Sequence, residues 1–146
     1  MSMIDSCRDQ MFPKLSPAEI GRLHRFGQEQ HYAAGDALFV TGDISPGMFV
    51  LVSGSVEVRR HDPLGHLAPI TTQDAGEFVA EVGQLAGRAA LVDVVAVNDL
   101  DTILIPSENL RVLLIAEAEL GDRIMRALIL RRVALIVTLP PVCPRS

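Results

Sequence analysis

Short apolar runs separated by glycines occupy the middle of the chain. Between residues 32 and 106 the runs ALFV, MFVLV, SVEV, LVDVVAV and TILI each span four to seven residues. The glycines between them recur at intervals of 7, 12, 11 and 11, at Gly35, Gly42, Gly54, Gly65 and Gly76. This spacing predicts many short strands in an antiparallel sandwich or barrel. Within SVEVRR, Val56 and Val58 are predicted to face inward. The intervening Glu57 and Arg59 are predicted to face solvent.

Helical patterns flank this region on both sides. Ser16 and Glu19 have the spacing of a capping box and predict a short helix that ends near Gly27. After the last strand, Ser107 is expected to cap a second helix, and a third is expected over about 120–138. The expected fold class is therefore mainly β with flanking helices (α+β), in the order helix, all-β middle, two helices.

Length and composition predict one domain with an aliphatic core. The chain has 146 residues, of which 49% are hydrophobic and only 4% aromatic. We place the domain at residues 12–138, with tails at 1–11 and 139–146.

The His61–His66 segment contains DPLG, which predicts a hairpin turn.

Charge and cysteine content exclude several classes of partner and compartment. Thirteen basic and eighteen acidic residues give a net charge of -5, and the arginines are scattered, so we expect no nucleic-acid partner. No apolar run approaches the roughly 18 residues of a membrane span, so we expect no membrane association. Cys7 and Cys143 lie near opposite ends, and the N-terminus does not resemble a secretory signal. These features favour a cytoplasmic protein.

The sequence gives little support for a catalytic activity. A metal-dependent enzyme of cupin type needs converging histidines, but the four histidines lack paired spacing: His24, His31, His61 and His66. No G-x-G-x-x-G fingerprint is present for a flavin or nicotinamide. Neither cysteine lies in an electropositive segment that would activate a thiol. We therefore expect no enzyme activity, no metal and no cofactor.

The glycine pattern itself resembles a known family. Its elements are Gly35-Asp36, Leu38-Phe39, Gly42-Asp43, Phe49-Val50 and Gly54-Ser55-Val56. In order and spacing they resemble the first half of the cyclic-nucleotide-binding domain of catabolite activator proteins, kinase regulatory subunits and gated channels. The resemblance implies an eight-stranded β-roll (jelly roll) with an N-terminal helix and two C-terminal helices.

Family members carry a phosphate-binding cassette between two late strands, and the matching segment here is VAEVGQLAGRAALV. By this resemblance Glu81 accepts a hydrogen bond from the ribose 2′-OH, Arg88 binds the cyclic phosphate and Ala89 supplies a backbone donor. The implied ligand-binding set is Ala80, Glu81, Val82, Gly83, Arg88, Ala89 and Ala90. In the family the helix after the β-roll covers the base as a lid. Arg131 and Leu135 are the lid residues that this implies.

The implied ligand is cyclic AMP before cyclic GMP, because Ala89 lacks the hydroxyl that often follows the phosphate arginine in members that prefer cyclic GMP. The chain is most similar to a branch attached to thioredoxin-reductase-like flavoenzymes, which implies a stand-alone sensor or a regulatory fragment.

Two departures from the family pattern leave an alternative open. Ala80 stands where the family usually has glycine, and Glu81 and Arg88 are only seven residues apart. The alternative is a ligand-free β-roll for interaction, with homodimerisation through the apolar C-terminal helix.

Overall fold

The structure, a computed structural model, describes residues 8–44, 46–61, 64–80 and 87–136. Residues 134–136 are described by their backbone alone. Residues 8–11 form a helical turn. The three helices that follow are α1 (Pro17–His24), α2 (Ser107–Ala116) and α3 (Ala118–Ile136). The strands are β1 (Gln28–Tyr32), β2 (Ala37–Phe39), β3 (Gly47–Ser53), β4 (Ser55–His61), β5 (Leu67–Asp74), β6 (Phe78–Val79), β7 (Asp93–Ala96) and β8 (Leu100–Pro106).

The strands form two four-stranded antiparallel sheets with orders β1-β8-β3-β6 and β2-β7-β4-β5. Strand β3 is apolar at consecutive positions because both of its faces are buried. Phe49 and Leu51 pack into the core between the two sheets, whereas Met48 and Val50 pack against the helices on the other side. A strand buried on both faces reads as a continuous apolar run. The predicted mainly β fold with flanking helices is confirmed.

The five predicted turn glycines all adopt positive φ between 85° and 95°. Gly54 shows the requirement most clearly. It connects β3 to β4 with φ of 90°, and a Cβ atom placed there would lie only 2.4 Å from the backbone oxygen of Asp99. Both its backbone conformation and its close contact therefore demand glycine.

Helix α1 begins as predicted. The Ser16 side chain accepts from the Glu19 backbone at 3.1 Å, and the Glu19 carboxylate accepts from the Ser16 backbone at 2.9 Å. The prediction for Ser107 is wrong. It is the first residue of α2, and the cap position is Pro106, which makes no side-chain capping bond. Strand β8 continues to Pro106, so the chain passes directly from sheet to helix.

Strand prediction succeeded where strands are apolar. Val56 and Val58 of β4 are buried, while Glu57 and Arg59 are partly exposed and pair at 2.5 Å. The predicted hairpin is also confirmed, since β4 and β5 pair out to His61 opposite Leu67. The apolar pattern did not reveal β1, β5 or β6. Strand β1 reads QEQHY, and β6 has two residues.

Helix α3 packs along one side of the first sheet. Its residues Leu120, Ile124 and Leu128 are buried against β3, β8 and α2 in one apolar cluster. The helix extends from Ala118 to Ile136, and the predicted end at 138 lies outside the described residues. In the part of the chain that the structure describes, no helix has the length and apolar character to cross a membrane.

Candidate functional site

A mostly apolar cavity of about 130 Å³ lies between the second sheet, β6 and α3. Its wall includes Met11, Phe12, Phe39, Val58, Arg60, Ile70, Thr71, Gln73, Val79, Ala80, Val92, Val94, Arg131 and Arg132. Aliphatic side chains come from the inward positions of β4, β5 and β7, because alternate residues of a strand point to the same side of a sheet. A concave, mostly apolar wall with a few polar groups is typical of a small-ligand site.

Arg131 connects three parts of the molecule at this wall. Its Nε donates to the backbone oxygen of Met11 at 2.7 Å, and its Nη1 donates to that of Phe78 at 2.8 Å. The guanidinium also lies 4.7 Å from the ring centroids of both Phe12 and Phe78, a distance at which cations are attracted to aromatic faces. The side chain therefore connects α3 to the N-terminal turn and to β6.

Burial dominates the electrostatics around this arginine. It lowers the pKa of Arg131 to about 9, and the nearby carboxylate of Glu77 opposes that shift. Burial likewise raises the pKa of Glu77, against a 3.0 Å hydrogen bond that its Oε2 accepts from the backbone of Asp74. Arg131 still carries its charge at neutral pH. Its Nη2 is buried and has no hydrogen-bond partner among the described residues.

Two predicted cassette residues are buried, and one of them lines the cavity. Ala80 follows β6 and lines the cavity wall. Ala90 is buried, and its backbone exchanges hydrogen bonds with the Gly42-Asp43 turn, donating at 2.8 Å and accepting at 2.9 Å. The glycine turn that carries the resemblance thus holds the end of the cassette in place.

The structure describes only some of the remaining predicted site residues. Arg88 and Ala89 are exposed, and Arg88 is not among the described residues that line the cavity. Glu81, Val82 and Gly83 lie outside the described residues. Arg131, predicted as a lid residue, lines the cavity. Leu135 belongs to α3, but its side chain is outside the described part of the chain.

Sequence reasoning missed the polar groups that β5 contributes to the cavity. Thr71 and Gln73 line it, and Gln73 donates from Nε2 to the backbone oxygen of Phe78 at 2.7 Å. A usable signal was present. An eight-stranded roll needs a strand between Gly65 and Gly76, and LAPITTQD is the segment available for it.

Histidines elsewhere form pairs rather than clusters. His31 contacts Asp101 at 2.9 Å, and this hydrogen bond raises the pKa of His31 and lowers that of Asp101. His24 lies 3.2 Å from Glu29. Within residues 8–44, 46–61, 64–80 and 87–136, no group of three or more His, Cys, Asp or Glu side chains could hold a metal ion.

Comparison with solved structures shows the same fold in bacterial regulators. The catabolite activator protein of Thermus thermophilus is 23% identical with a TM-score of 0.71, and the match covers 85% of this chain and 58% of that one. The c-di-GMP responsive global regulator CLP of Xanthomonas campestris is 21% identical with a TM-score of 0.68, covering 83% and 60%. This chain therefore spans less than two thirds of either regulator.

A shorter neighbour matches over nearly its whole length. The N-terminal domain of a transcriptional regulator from Streptomyces coelicolor is 22% identical with a TM-score of 0.62, covering 93% of this chain and 96% of that one. No curated protein matches the sequence. The family model described as cyclic nucleotide-binding domain matches residues 29–117, more than half of the chain. By this match, and in agreement with its two-sheet fold, the chain belongs to the cyclic nucleotide-binding domain family.

Proposed function

We propose that this chain is a regulatory domain that binds a cyclic purine nucleotide, cyclic AMP in preference to cyclic GMP, and performs no chemistry. Membership of the family supports a cyclic nucleotide as ligand. The observation that carries the proposal is the apolar cavity, which runs from Ala80 at the start of the cassette to Arg131 on α3. A planar base is the part of the ligand that such a space suits.

In this proposal the phosphate binds outside the cavity, at Arg88. That side chain is exposed, so its guanidinium is accessible to an anion. A guanidinium forms charge-assisted hydrogen bonds to phosphate, and backbone N–H groups add donors without adding charge. Ala89 supplies one such donor. Glu81 accepts from the ribose 2′-OH, as the resemblance implies.

The output of binding is proposed to pass through α3. This helix contributes Arg131 to the cavity wall and carries the hydrogen bonds to Met11 and Phe78. A ligand shifts a conformational equilibrium only by its differential affinity for the two states, typically about 1 to 3 kcal/mol. Nucleotide binding would favour one position of α3 against the rest of the domain. This shift would change the position of an attached or partner protein relative to the domain. An oxidoreductase of the thioredoxin-reductase type is the proposed recipient.

Calorimetric titration of the parent and of Arg88→Ala tests the ligand and its anchor together. A charge-assisted contact contributes about 1.5 to 3 kcal/mol, so the variant should bind cyclic AMP about 10- to 150-fold more weakly. Arg126→Ala is the control. Arg126 is also a surface arginine, but it lies on α3, where it is close to Asp122. Equal affinity in parent and Arg88→Ala, with both folded, would remove Arg88 from the site.

Exposed apolar residues on the helices favour the interaction module as the second candidate. Val112 and Ile115 of α2 are 55% and 82% exposed, and Ile129 of α3 is 48% exposed. Such residues suit a protein interface more than a solvent-facing surface. The calorimetric titration distinguishes a nucleotide-binding domain from a ligand-free interaction module. Absence of heat with cyclic AMP, cyclic GMP and c-di-GMP at millimolar concentration, together with a dimer by sedimentation, would favour the interaction module.

A further inference from the structure

The described wall of the cavity carries positive charge and no negative charge. Three arginines line it, Arg60 from β4 and both Arg131 and Arg132 from α3. None of the other described residues of the wall is acidic. Arg60 is exposed, and the two arginines of α3 are partly buried. A concave surface lined by charges of one sign attracts a ligand of the opposite sign, so this wall favours an anion.

Arg131 has a donor group to spare at this wall. Its Nε and Nη1 donate to the backbone oxygens of Met11 and Phe78, which are uncharged acceptors. Its Nη2 is buried and has no hydrogen-bond partner among the described residues. A buried donor without an acceptor is unfavourable. Because Arg131 lines the cavity, a ligand bound there can supply the acceptor.

Glu77 acts on Arg131 through its charge and not as a partner of Nη2. That charge opposes the fall in the pKa of Arg131 that burial causes. The Oε2 atom of Glu77 accepts from the backbone of Asp74 at 3.0 Å, and Glu77 is not among the residues that line the cavity. The acceptor for Nη2 is therefore left to a ligand.

The size and lining of the cavity limit what kind of anion fits. Its volume of about 130 Å³ is similar to that of an engineered cavity of about 150 Å³ that binds benzene. Most of its wall is apolar, with aromatic and branched side chains from Phe39, Val58, Ile70, Val79, Val92 and Val94. Such a wall suits one aromatic ring, and the arginines suit a small anionic substituent on that ring.

We propose that the cavity binds a monocyclic aromatic carboxylate, with the ring against the apolar wall and a carboxylate oxygen accepting from Arg131 Nη2. This inference goes beyond the proposed function, because such a ligand has no ribose or phosphate and does not use Arg88. The ring and a nucleotide base occupy the same cavity, so the two ligands compete. An aromatic acid would then oppose the effect of the nucleotide on α3.

Three small ligands separate the contribution of the ring from that of the charge. The parent protein is titrated with benzoate, with benzamide, which has the same ring and a carbonyl oxygen but no charge, and with acetate, which has the charge but no ring. A charged hydrogen bond is stronger than a neutral one, which predicts about 5- to 10-fold tighter binding of benzoate than of benzamide. Burial of the ring predicts that benzoate binds at least about 10-fold more tightly than acetate.

The variant Arg131→Met assigns the preference for benzoate to this side chain. Benzoate and benzamide should bind to it within about twofold of each other. Arg126→Met is the matched control, because Arg126 lies on the same helix and pairs with Asp122 at 3.7 Å, and it should keep the preference of the parent. If Arg131→Met does not fold, Arg131→Lys keeps the charge without the planar set of N–H donors and should reduce the preference.

The outcomes separate this inference from the proposed function. Benzamide or acetate binding to the parent as tightly as benzoate would overturn the inference, as would a preference that is unchanged in Arg131→Met, or in Arg131→Lys where that variant is used. Binding of cyclic AMP without binding of benzoate would overturn this inference alone. Binding of benzoate in the predicted order without binding of cyclic AMP would support it and overturn the proposed function. If both ligands bind, benzoate should displace cyclic AMP, and binding of both at once would overturn their competition for one cavity.

Discussion

Replacing Arg131 with methionine removes a side chain that joins α3 to both the N-terminal turn and β6. The variant loses hydrogen bonds of 2.7 and 2.8 Å to the backbone oxygens of Met11 and Phe78. It also loses the contacts of the guanidinium with the rings of Phe12 and Phe78. Methionine retains most of the apolar length, so the change mainly removes polar interactions.

The expected loss follows from these contacts. A hydrogen bond from a charged donor contributes about 1.5 to 3 kcal/mol. The Phe78 oxygen keeps its bond from Gln73, so only the Met11 oxygen loses its single described side-chain donor. Each cation–aromatic contact adds about 0.5 to 2 kcal/mol. Relief from burying a charge offsets part of this sum. We expect the free energy of unfolding to fall by about 2 to 4 kcal/mol.

Urea unfolding followed by circular dichroism measures this loss. With a slope of about 2 kcal/mol per molar urea, the midpoint should fall by about 1 to 2 M. Arg126→Met is the matched control, since Arg126 lies on the same helix, has 37% of its side chain exposed and pairs with Asp122 at 3.7 Å. Exposed ion pairs contribute about 0 to 1 kcal/mol. A midpoint for Arg131→Met equal to that of Arg126→Met would refute the reasoning.

Two further perturbations test the turn glycines and a histidine pair. Gly54→Ala should destabilise the protein by at least about 1 kcal/mol more than Gly65→Ala, because both have positive φ but only Gly54 has a close backbone contact; equal thermal midpoints would contradict this. The hydrogen bond that His31 donates to Asp101 raises the folded pKa of His31 above 6.5. Its stabilisation is therefore fully present below that value and is lost as pH rises through the folded pKa. The stability advantage of the parent over His31→Gln should shrink as pH rises from about 6.5 through the folded pKa of His31, and an advantage that grows as pH rises would show that the sign is wrong.

Features that depend on neighbouring residues were predicted well. The Ser16 capping box needs only residues three positions apart, and the turn glycines need only a backbone conformation that side chains disfavour. Strand β3 was found because burial on both faces made it continuously apolar. The family resemblance rests on the same glycine turns, and the family match confirms it.

Features that depend on position within the sheets were predicted poorly. Strand β1 is polar, yet it pairs along its length with β8, from Gln28 opposite Leu104 to Tyr32 opposite Leu100. Strand β6 has two residues and exists because β3 pairs with it. Backbone pairing leaves no mark on side-chain polarity when a strand lies at the edge of a sheet. The wrong cap at Ser107 has a similar cause, because β8 continues to Pro106 through its pairing with β3.

The sequence by itself determined where the chain turns and to which family it belongs, since both follow from local backbone requirements written in contiguous residues. Only the tertiary structure decided what surrounds the cavity. Met11, Gln73, Phe78 and Arg131 are distant along the chain, and their convergence on two backbone oxygens depends on how α3 packs across β6. A buried arginine and an exposed one read alike in a sequence, because burial and hydrogen bonding are properties of the packed chain and not of the residue type.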